Sequence, residues 1–144
     1  MSEVTGSPES FPGRPRGTRA IELWDNRLPS YFLDTFGRSE RTSPCECGRS
    51  GEPTMAQALH LMNAPEVSAK IANSTGRVAR LLRASPPITD AALIEELTLV
   101  TLGRLPTEKE RNVAQGLLAN TARRDASEDY LWTLLNSYDF LFVR

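Results

Sequence analysis

The residues with the most reactive side chains lie in one polar stretch, where two cysteines flank a glutamate as Cys45-Glu46-Cys47. Two thiolates could supply half of a zinc or iron site, because thiolate sulfur is a good ligand for both metals. A complete site needs about four ligands, and the chain offers only His60 as a further soft donor. A disulfide between the two thiols would close a small, strained ring, which favours redox activity. We expect structural or incidental thiols, with the metal and redox interpretations as alternatives.

Arginines around the same cysteines form a second candidate. A guanidinium group can bind a carboxylate, phosphate or sulfate group through two parallel hydrogen bonds. The neighbouring carboxylates Glu40, Glu46 and Glu52 could equally pair with these arginines, and we favour such an internal salt-bridge network. The candidate ligand-binding residues of this region are Arg38, Arg41, Cys45, Cys47, Arg49, Glu52, Gln57, His60 and Asn63.

Other polar and aromatic side chains have structural explanations. His60 lies between two leucines on a predicted helix, where a histidine usually packs and donates a hydrogen bond. A helix start explains one group of carboxylates through capping and the helix dipole; they are Asp125, Glu128 and Asp129. Helical spacing beside leucines places the aromatic residues Trp132, Phe140 and Phe142 in a core or an interface. We therefore predict no catalytic residue, no resident metal and no cofactor.

Helices on both sides must position this stretch. Residues 29–36 predict a short helix with a bulky apolar side. The helix starts at Pro29 or Ser30, and Gly37 ends it. Residues 38–52 carry charges and glycines without periodicity, so they predict a long polar loop that is functional or mobile. Pro53 then opens a helix that ends at Asn63, since the residue before a proline avoids the helical conformation.

The chain after residue 64 predicts a series of helices. Pro65 suits the first turn of one helix, and Ser74 can cap the next. Thr89 caps a longer helix that runs to about Leu102, and Gly103 ends it. The apolar residues that we expect to face inward are Val67, Ile71, Val78, Leu81, Leu82, Leu93, Ile94, Leu97 and Val100.

Two further helices close the chain. Thr107 and Glu110 form a capping box, in which each side chain accepts a backbone N–H of the other residue. Asp125 and Glu128 repeat that spacing before a leucine-rich run. The inward positions of the two helices are Val113, Ala114, Leu117 and Leu118, then Tyr130, Leu131, Leu134, Leu135 and Tyr138. Apolar stripes joined by short turns predict a small helical bundle.

These elements predict an all-α fold, a small irregular helical bundle with a long polar loop. Residues 1–19 are rich in proline and glycine and predict a disordered N-terminal segment. Residues 20–144 predict a single helical domain. The length of this range is usual for one domain.

Composition excludes several classes of partner. The 17 basic and 18 acidic residues leave a net charge of -1, and neither half of the chain is basic, so we expect no nucleic-acid binding. No apolar run approaches the length that spans a bilayer, so we expect no membrane insertion. The polar N-terminal residues do not resemble a secretory signal, and the chain as written would stay in the cytoplasm.

Several motifs, in order along the chain, resemble a known family. They include Arg19-Ala-Ile-Glu-Leu, Cys45-Glu-Cys, Leu102-Gly-Arg-Leu-Pro-Thr-Glu and the closing Leu131-Trp-Thr-Leu-Leu-Asn-Ser-Tyr-Asp-Phe. From about residue 18 to its end, the chain resembles the C-terminal part of the planctomycete domain of unknown function 1553 family. The resemblance implies a piece of a larger, commonly exported protein that often carries a cytochrome-c-like module. It implies no particular reaction.

We therefore interpret the chain as a non-catalytic packing or interaction module that contacts another domain or protein through apolar surface. The alternative is a redox or ligand-binding module centred on Cys45-Glu46-Cys47. An enzyme is the less favoured class, because no nucleophile, base and orienting group occur in a recognisable arrangement.

Metal analysis and thiol titration of anaerobically purified protein separate these two interpretations. We expect no bound metal and two thiols of ordinary reactivity at Cys45 and Cys47, since no full ligand set accompanies them. Stoichiometric metal, or a thiol that reacts far faster than a free cysteine, would favour the alternative.

Overall fold

Helices make up the regular structure of the computed structural model, which describes residues 1–15, 17–23, 30–36, 57, 59 and 62–141. Among these residues none lies in a strand, which confirms the all-α prediction. Their α-helices with assigned bounds are α1 (Ser2–Thr5), α2 (Tyr31–Thr35), α3 (Pro65–Ile71), α4 (Arg77–Leu82), α5 (Asp90–Leu102), α6 (Glu108–Asn120), α7 (Arg123–Leu135) and α8 (Tyr138–Leu141). A 3-10 turn spans Ala20–Glu22.

The chain divides into two compact units. The first unit joins Met1–Ser7 to Ala64–Arg144, and the second comprises Pro8–Asn63. The boundary that the sequence suggests at residue 19 stays a prediction. That residues 20–144 form one folding domain stays a prediction.

In the second unit, α2 occupies the segment where the sequence predicts a short helix. The hydroxyl of Ser30 accepts the amide of Leu33 at 3.3 Å, so Ser30 caps this helix as expected. Gln57, Leu59, Met62 and Asn63 also have helical backbone. The remaining residues of the predicted helix 53–63, and the whole polar loop 38–52, lie outside the described residues.

Local capping signals fix α5 and α6. The Thr89 hydroxyl accepts the amide of Ala92 at 3.3 Å at the start of α5. Gly103 ends α5 with φ of 69°, a left-handed conformation that glycine adopts without a steric penalty. At the start of α6, Thr107 and Glu110 form the predicted capping box.

The helix α7 is the centre of the first unit, because it packs against α3, α4, α5, α6 and α8. Its buried residues are Ala126, Ser127, Tyr130, Leu131, Leu134 and Leu135. The small side chains of Ala126 and Ser127 allow neighbouring backbones to approach closely, while Leu131 and Leu135 fill the core. The apolar stripe that the sequence predicts for residues 130–135 is confirmed.

One polar pair joins α5 and α7 inside this core. The hydroxyl oxygens of Thr98 and Tyr130 lie 2.8 Å apart, and both residues are buried. The Thr98 hydroxyl also donates to the carbonyl of Ile94 at 2.7 Å, so its oxygen accepts the proton of the Tyr130 hydroxyl. Burial raises the pKa of Tyr130. The pair leaves neither hydroxyl without a partner, as a buried polar group requires.

The N-terminus of α4 corrects one prediction. The sequence suggests Ser74 as its cap, but the N-cap residue is Gly76, which makes no side-chain hydrogen bond. A Cβ on Gly76 would lie 3.0 Å from the carbonyl oxygen of Asn73 and 3.1 Å from that of Thr5. Two backbone carbonyls therefore leave almost no room for a side chain at this helix start.

The N-terminus of α7 corrects a second prediction. The helix begins at Arg123, after Ala122, and has no side-chain cap, so Asp125 and Glu128 do not form a capping box. Asp125 lies instead in the first turn, where its charge interacts favourably with the helix dipole. Glu128 accepts a hydrogen bond from Arg124 at 2.7 Å.

The first two residues of α7 hold loops and helix ends in place. Arg123 donates to the carbonyl of Ile88 at 2.5 Å and to the carboxylate of Asp90 at 3.0 Å. Arg124 donates to the carbonyl of Ala72, which follows α3, at 3.0 Å. Each guanidinium thus satisfies a carbonyl at a helix end or in a loop.

The first seven residues include a short helix. The structure places Ser2–Thr5 in a helical turn with Val4 and Thr5 buried, while disorder of the segment 1–19 as a whole stays a prediction. Arg77 donates to the carbonyl of Val4 at 2.7 Å, although 73 positions separate the two residues. Composition cannot reveal such a contact, because its donor lies far away in the sequence.

Replacing a core leucine of α5 tests the orientation of this helix. Leu97 has no exposed surface, so Leu97→Ala should lower the free energy of unfolding by about 2–5 kcal/mol through lost burial and a residual cavity. Leu99→Ala is the matched control, because Leu99 lies on the same helix and is 47% exposed; its effect should be about 1 kcal/mol or less. Urea denaturation followed by circular dichroism measures both. Equal losses would contradict the orientation of α5.

Candidate functional site

Most of the predicted ligand-binding residues lie outside the part of the chain that the structure describes. They are Arg38, Arg41, Cys45, Cys47, Arg49, Glu52 and His60. Their metal, redox and salt-bridge interpretations stay predictions.

The other two predicted site residues make internal hydrogen bonds. The side-chain amide of Gln57 donates to the carbonyl of Thr35, the last residue of α2, at 3.1 Å. The side-chain amide of Asn63 donates to the carbonyl of Leu59, one helical turn earlier, at 3.0 Å. Both side chains thus satisfy main-chain carbonyls.

Large apolar side chains are exposed on the first unit, although its leucine core is buried. Their exposed fractions are 47% for Leu99, 63% for Leu105, 58% for Val113 and 67% for Tyr138. The prediction that Val113 and Tyr138 face inward is wrong. The helix α6 buries Ala114 rather than Val113, and α7 ends before Tyr138, which belongs to the separate turn α8.

Arg104, between α5 and α6, is the centre of an ion-pair cluster. Its Nη1 and Nη2 atoms donate to the two carboxylate oxygens of Glu110 at 2.9 and 2.8 Å. Nη2 also donates to the carboxylate of Asp139 at 2.6 Å. The cluster therefore joins the α5–α6 turn to α8, and its two-pronged guanidinium–carboxylate pair is a strong hydrogen-bonding geometry.

Glu110 belongs to this cluster and to the capping box of α6. Its Oε2 atom accepts the amide of Thr107 at 2.7 Å, while the Thr107 hydroxyl accepts the amide of Glu110 at 3.3 Å. The hydrogen bond from Arg104 is the main cause that lowers the pKa of Glu110 to about 2, and the Thr107 bonds add to it. Hydrogen bonds to Glu110 and Asp139 raise the pKa of Arg104.

Three exposed apolar residues lie within three positions of a member of the cluster in the sequence. Leu105 follows Arg104, and its carbonyl accepts a hydrogen bond from Arg104 Nη1 at 3.2 Å. Tyr138 directly precedes Asp139. Val113 lies three residues after Glu110, a spacing that places two residues on the same side of a helix. We name these six residues the Arg104 surface: Arg104, Leu105, Glu110, Val113, Tyr138 and Asp139.

The chemistry available to the Arg104 surface is contact rather than proton transfer. A carboxylate with a pKa of about 2, as at Glu110, is a poor proton acceptor near neutral pH. Both carboxylates of the cluster already accept hydrogen bonds from Arg104. Sequence reasoning did not single out Leu105, but its position in a short turn between Arg104 and Pro106 is a signal that could have identified it.

Two further observations concern the described residues as a whole. They contain no group of three or more histidine, cysteine, aspartate or glutamate side chains that could hold a metal ion. Within the same residues, no helix has the length and hydrophobicity that crossing a membrane requires.

Comparison with known families matches residues 12–118 to the family described as "PSD1: Protein of unknown function (DUF1553)". The match starts before residue 18, where the sequence motifs suggest a beginning, and it ends before the closing motif of the chain. It includes Arg104, Leu105, Glu110 and Val113 of the Arg104 surface, whereas Tyr138 and Asp139 follow it. No curated protein and no solved structure matches the chain significantly.

Acidification tests the Arg104–Glu110 pair. The pKa of Glu110 is lowered to about 2 in the folded chain, so its contribution to stability is complete above the unfolded pKa of about 4.3 and disappears as the pH falls towards 2. Because the pair is partly exposed, we expect a contribution of about 1 kcal/mol.

The measurement compares the free energy of unfolding of the wild-type chain and Glu110→Gln between about pH 5 and pH 2. Wild type should be the more stable at the upper end of that range, and the two values should converge at the lower end. The subtraction cancels the titration of all other carboxyl groups. A constant difference between the two chains over the whole range would contradict the assigned pair.

Proposed function

The chain belongs to the DUF1553 family of proteins of unknown function, and we propose that it is a non-catalytic helical packing module of a larger exported protein. In this proposal it contacts another domain or protein through the Arg104 surface. The single observation that supports the proposal is the exposure of Leu105, Val113 and Tyr138, which lie close in sequence to the members of one ion-pair cluster.

The energetics of the Arg104 surface favour a contact role. Fully burying a leucine or valine side chain contributes about 1.5–3 kcal/mol each, so Leu105 and Val113 could supply much of the free energy of a weak interface. Tyrosine and arginine are enriched at protein interfaces, where an apolar body and a polar end both find partners. The ion-pair cluster would then fix the orientation of the contact.

The larger, exported protein comes from the sequence resemblance. A module that normally covers a neighbouring domain exposes apolar surface when that neighbour is missing. The Arg104 surface has this character, because it combines exposed apolar side chains with charged groups that already pair with one another.

A combined variant tests the proposal on the full chain. Leu105→Ser with Val113→Ser removes two exposed apolar side chains and leaves the ion-pair cluster intact. Wild type should bind a hydrophobic dye or self-associate in light scattering, and the variant should lose about half of either signal, since the apolar area is reduced. Ile21→Ser is the matched control, because Ile21 is 87% exposed but lies in the second unit.

Two outcomes would exclude this function for the Arg104 surface. One is a wild-type chain that is a clean monomer and binds no dye. The other is an equal loss of signal in the double variant and in Ile21→Ser, which would mean that scattered exposed side chains, rather than this surface, cause the binding.

A further inference from the structure

The contact between α1 and α4 has the chemistry of peptide recognition. Arg77 Nε donates to the carbonyl of Val4 at 2.7 Å, and Arg77 Nη2 donates to the carbonyl of Glu3 at 3.1 Å. Its third nitrogen, Nη1, pairs with Glu96 at 3.2 Å, which orients the guanidinium group. The carbonyls at the end of a single helical turn lack helical partners, so Arg77 completes the hydrogen bonding of this turn.

The helix α3 and the segment after it hold the end of the same peptide. Lys70 Nζ donates to the carbonyl of Ser7 at 3.2 Å. The side-chain amide of Asn73 donates to the hydroxyl of Ser7 at 2.8 Å. Ser7 is 6% exposed, so its hydroxyl and carbonyl are bound rather than hydrated. Lys70, Asn73 and Arg77 therefore bind Glu3, Val4 and Ser7 of one short segment.

Shape adds selectivity to these hydrogen bonds. Gly6 has a φ of 62°, and a Cβ there would clash with the Arg80 guanidinium and lie 3.1 Å from the amide nitrogen of Arg77. Thr5, the residue before it, is 1% exposed, and its main-chain carbonyl oxygen would lie 3.1 Å from a Cβ on Gly76. The site thus favours glycine at the position of Gly6, and its own Gly76 lets the main chain of the segment approach closely.

The covalent link between the segment and its site is long. After Ser7 the chain runs through the whole second unit, Pro8–Asn63, before it returns at Ala64. A single helical turn is not stable alone in water, so the segment folds as it docks. The site residues Lys70, Asn73 and Arg77 lie within the family match at residues 12–118, whereas the docked segment precedes it.

We propose that α3 and α4, with Asn73 and Glu96, form a binding site for a short peptide turn that ends in glycine and serine. Its occupant in this chain is Met1–Ser7, which binds reversibly in cis. The hydrogen bonds to main-chain carbonyls supply affinity. The limited space at Gly6 and the Asn73 hydrogen bond to the Ser7 hydroxyl supply selectivity. This site is separate from the Arg104 surface, so it goes beyond the proposed function and does not depend on it.

Substitution of Gly6 in the full chain opens the site without altering its binding residues. Gly6→Val combines a strained positive φ with a close approach of the added side chain to the amide nitrogen of Arg77, 3.1 Å from a Cβ, and displaces the Arg80 guanidinium. The matched control is Gly13→Val, because Gly13 has a similar φ of 71° but no atom within 4 Å of an added Cβ. We expect the amide hydrogens of residues 2–7 to exchange at least about tenfold faster in Gly6→Val than in wild type or the control. The amides of α5 and α7 should keep their protection in all three chains.

A synthetic peptide with the sequence of Met1–Ser7 then tests recognition directly. Added at up to about millimolar concentration, it should shift the NMR signal of the Arg77 side chain in the Gly6→Val chain in a saturable way. Wild type should respond at least about tenfold more weakly, because its own segment competes at a high effective concentration. The double variant Gly6→Val with Arg77→Ala should not bind, and neither should a peptide that carries valine in place of Gly6.

Three results would each overturn the proposal. Unchanged exchange of residues 2–7 in Gly6→Val would mean that Gly6 does not control docking. Loss of protection in α5 and α7 would mean that the segment is an integral part of the core rather than a reversible occupant. A Gly6→Val chain that keeps its core but does not bind the peptide would mean that the site does not recognise this sequence.

Discussion

Burial of α7 against five neighbouring helices is the constraint on which the first unit depends. A helix with neighbours on several sides must satisfy its polar side chains internally, because an unpaired buried hydroxyl is costly. The Ser127 hydroxyl donates to the carbonyl of Arg123 at 2.6 Å, and the Tyr130 hydroxyl pairs with Thr98. The leucines of α7 then fill the remaining space. The positions of α3, α4, α5, α6 and α8 follow from this shared contact.

Four arginine side chains connect the surrounding segments through the same arrangement of contacts. In each case a guanidinium group binds a carboxylate and also a main-chain carbonyl, so the carboxylate orients the group and the carbonyl anchors a loop or helix end. The four arginines and their carboxylate partners are Arg77 with Glu96, Arg104 with Glu110, Arg123 with Asp90 and Arg124 with Glu128. Among the described residues, these four arginines therefore use their charge in internal pairing.

This arrangement of an arginine with a carboxylate and a carbonyl has different consequences at two places on the first unit. At Arg77 the carbonyls belong to a distant segment, so the contact binds a peptide turn by its main chain. At Arg104 the carbonyl belongs to the adjacent Leu105, so the contact stiffens a turn whose apolar side chain projects into solvent. Main-chain recognition tolerates changes of side chain except where space is limiting, as at Gly6. An apolar contact surface depends on the side chains themselves, so the two surfaces should respond to different substitutions.

The sequence by itself determined the helices whose boundaries depend on neighbouring residues. Thr89, Gly103 and the Thr107–Glu110 box act within one helical turn, so their chemistry is visible in the order of residues. For the candidate ligand-binding residues, the sequence supplies residue types, and the described members Gln57 and Asn63 bond to carbonyls that residue types alone do not identify. Only the tertiary structure decided that Gly76 starts α4, that Met1–Ser7 docks, and that Val113 is exposed. These outcomes depend on atoms from distant parts of the chain. Periodicity in the sequence identifies the apolar side of a helix, but it does not identify the neighbour that will cover that side.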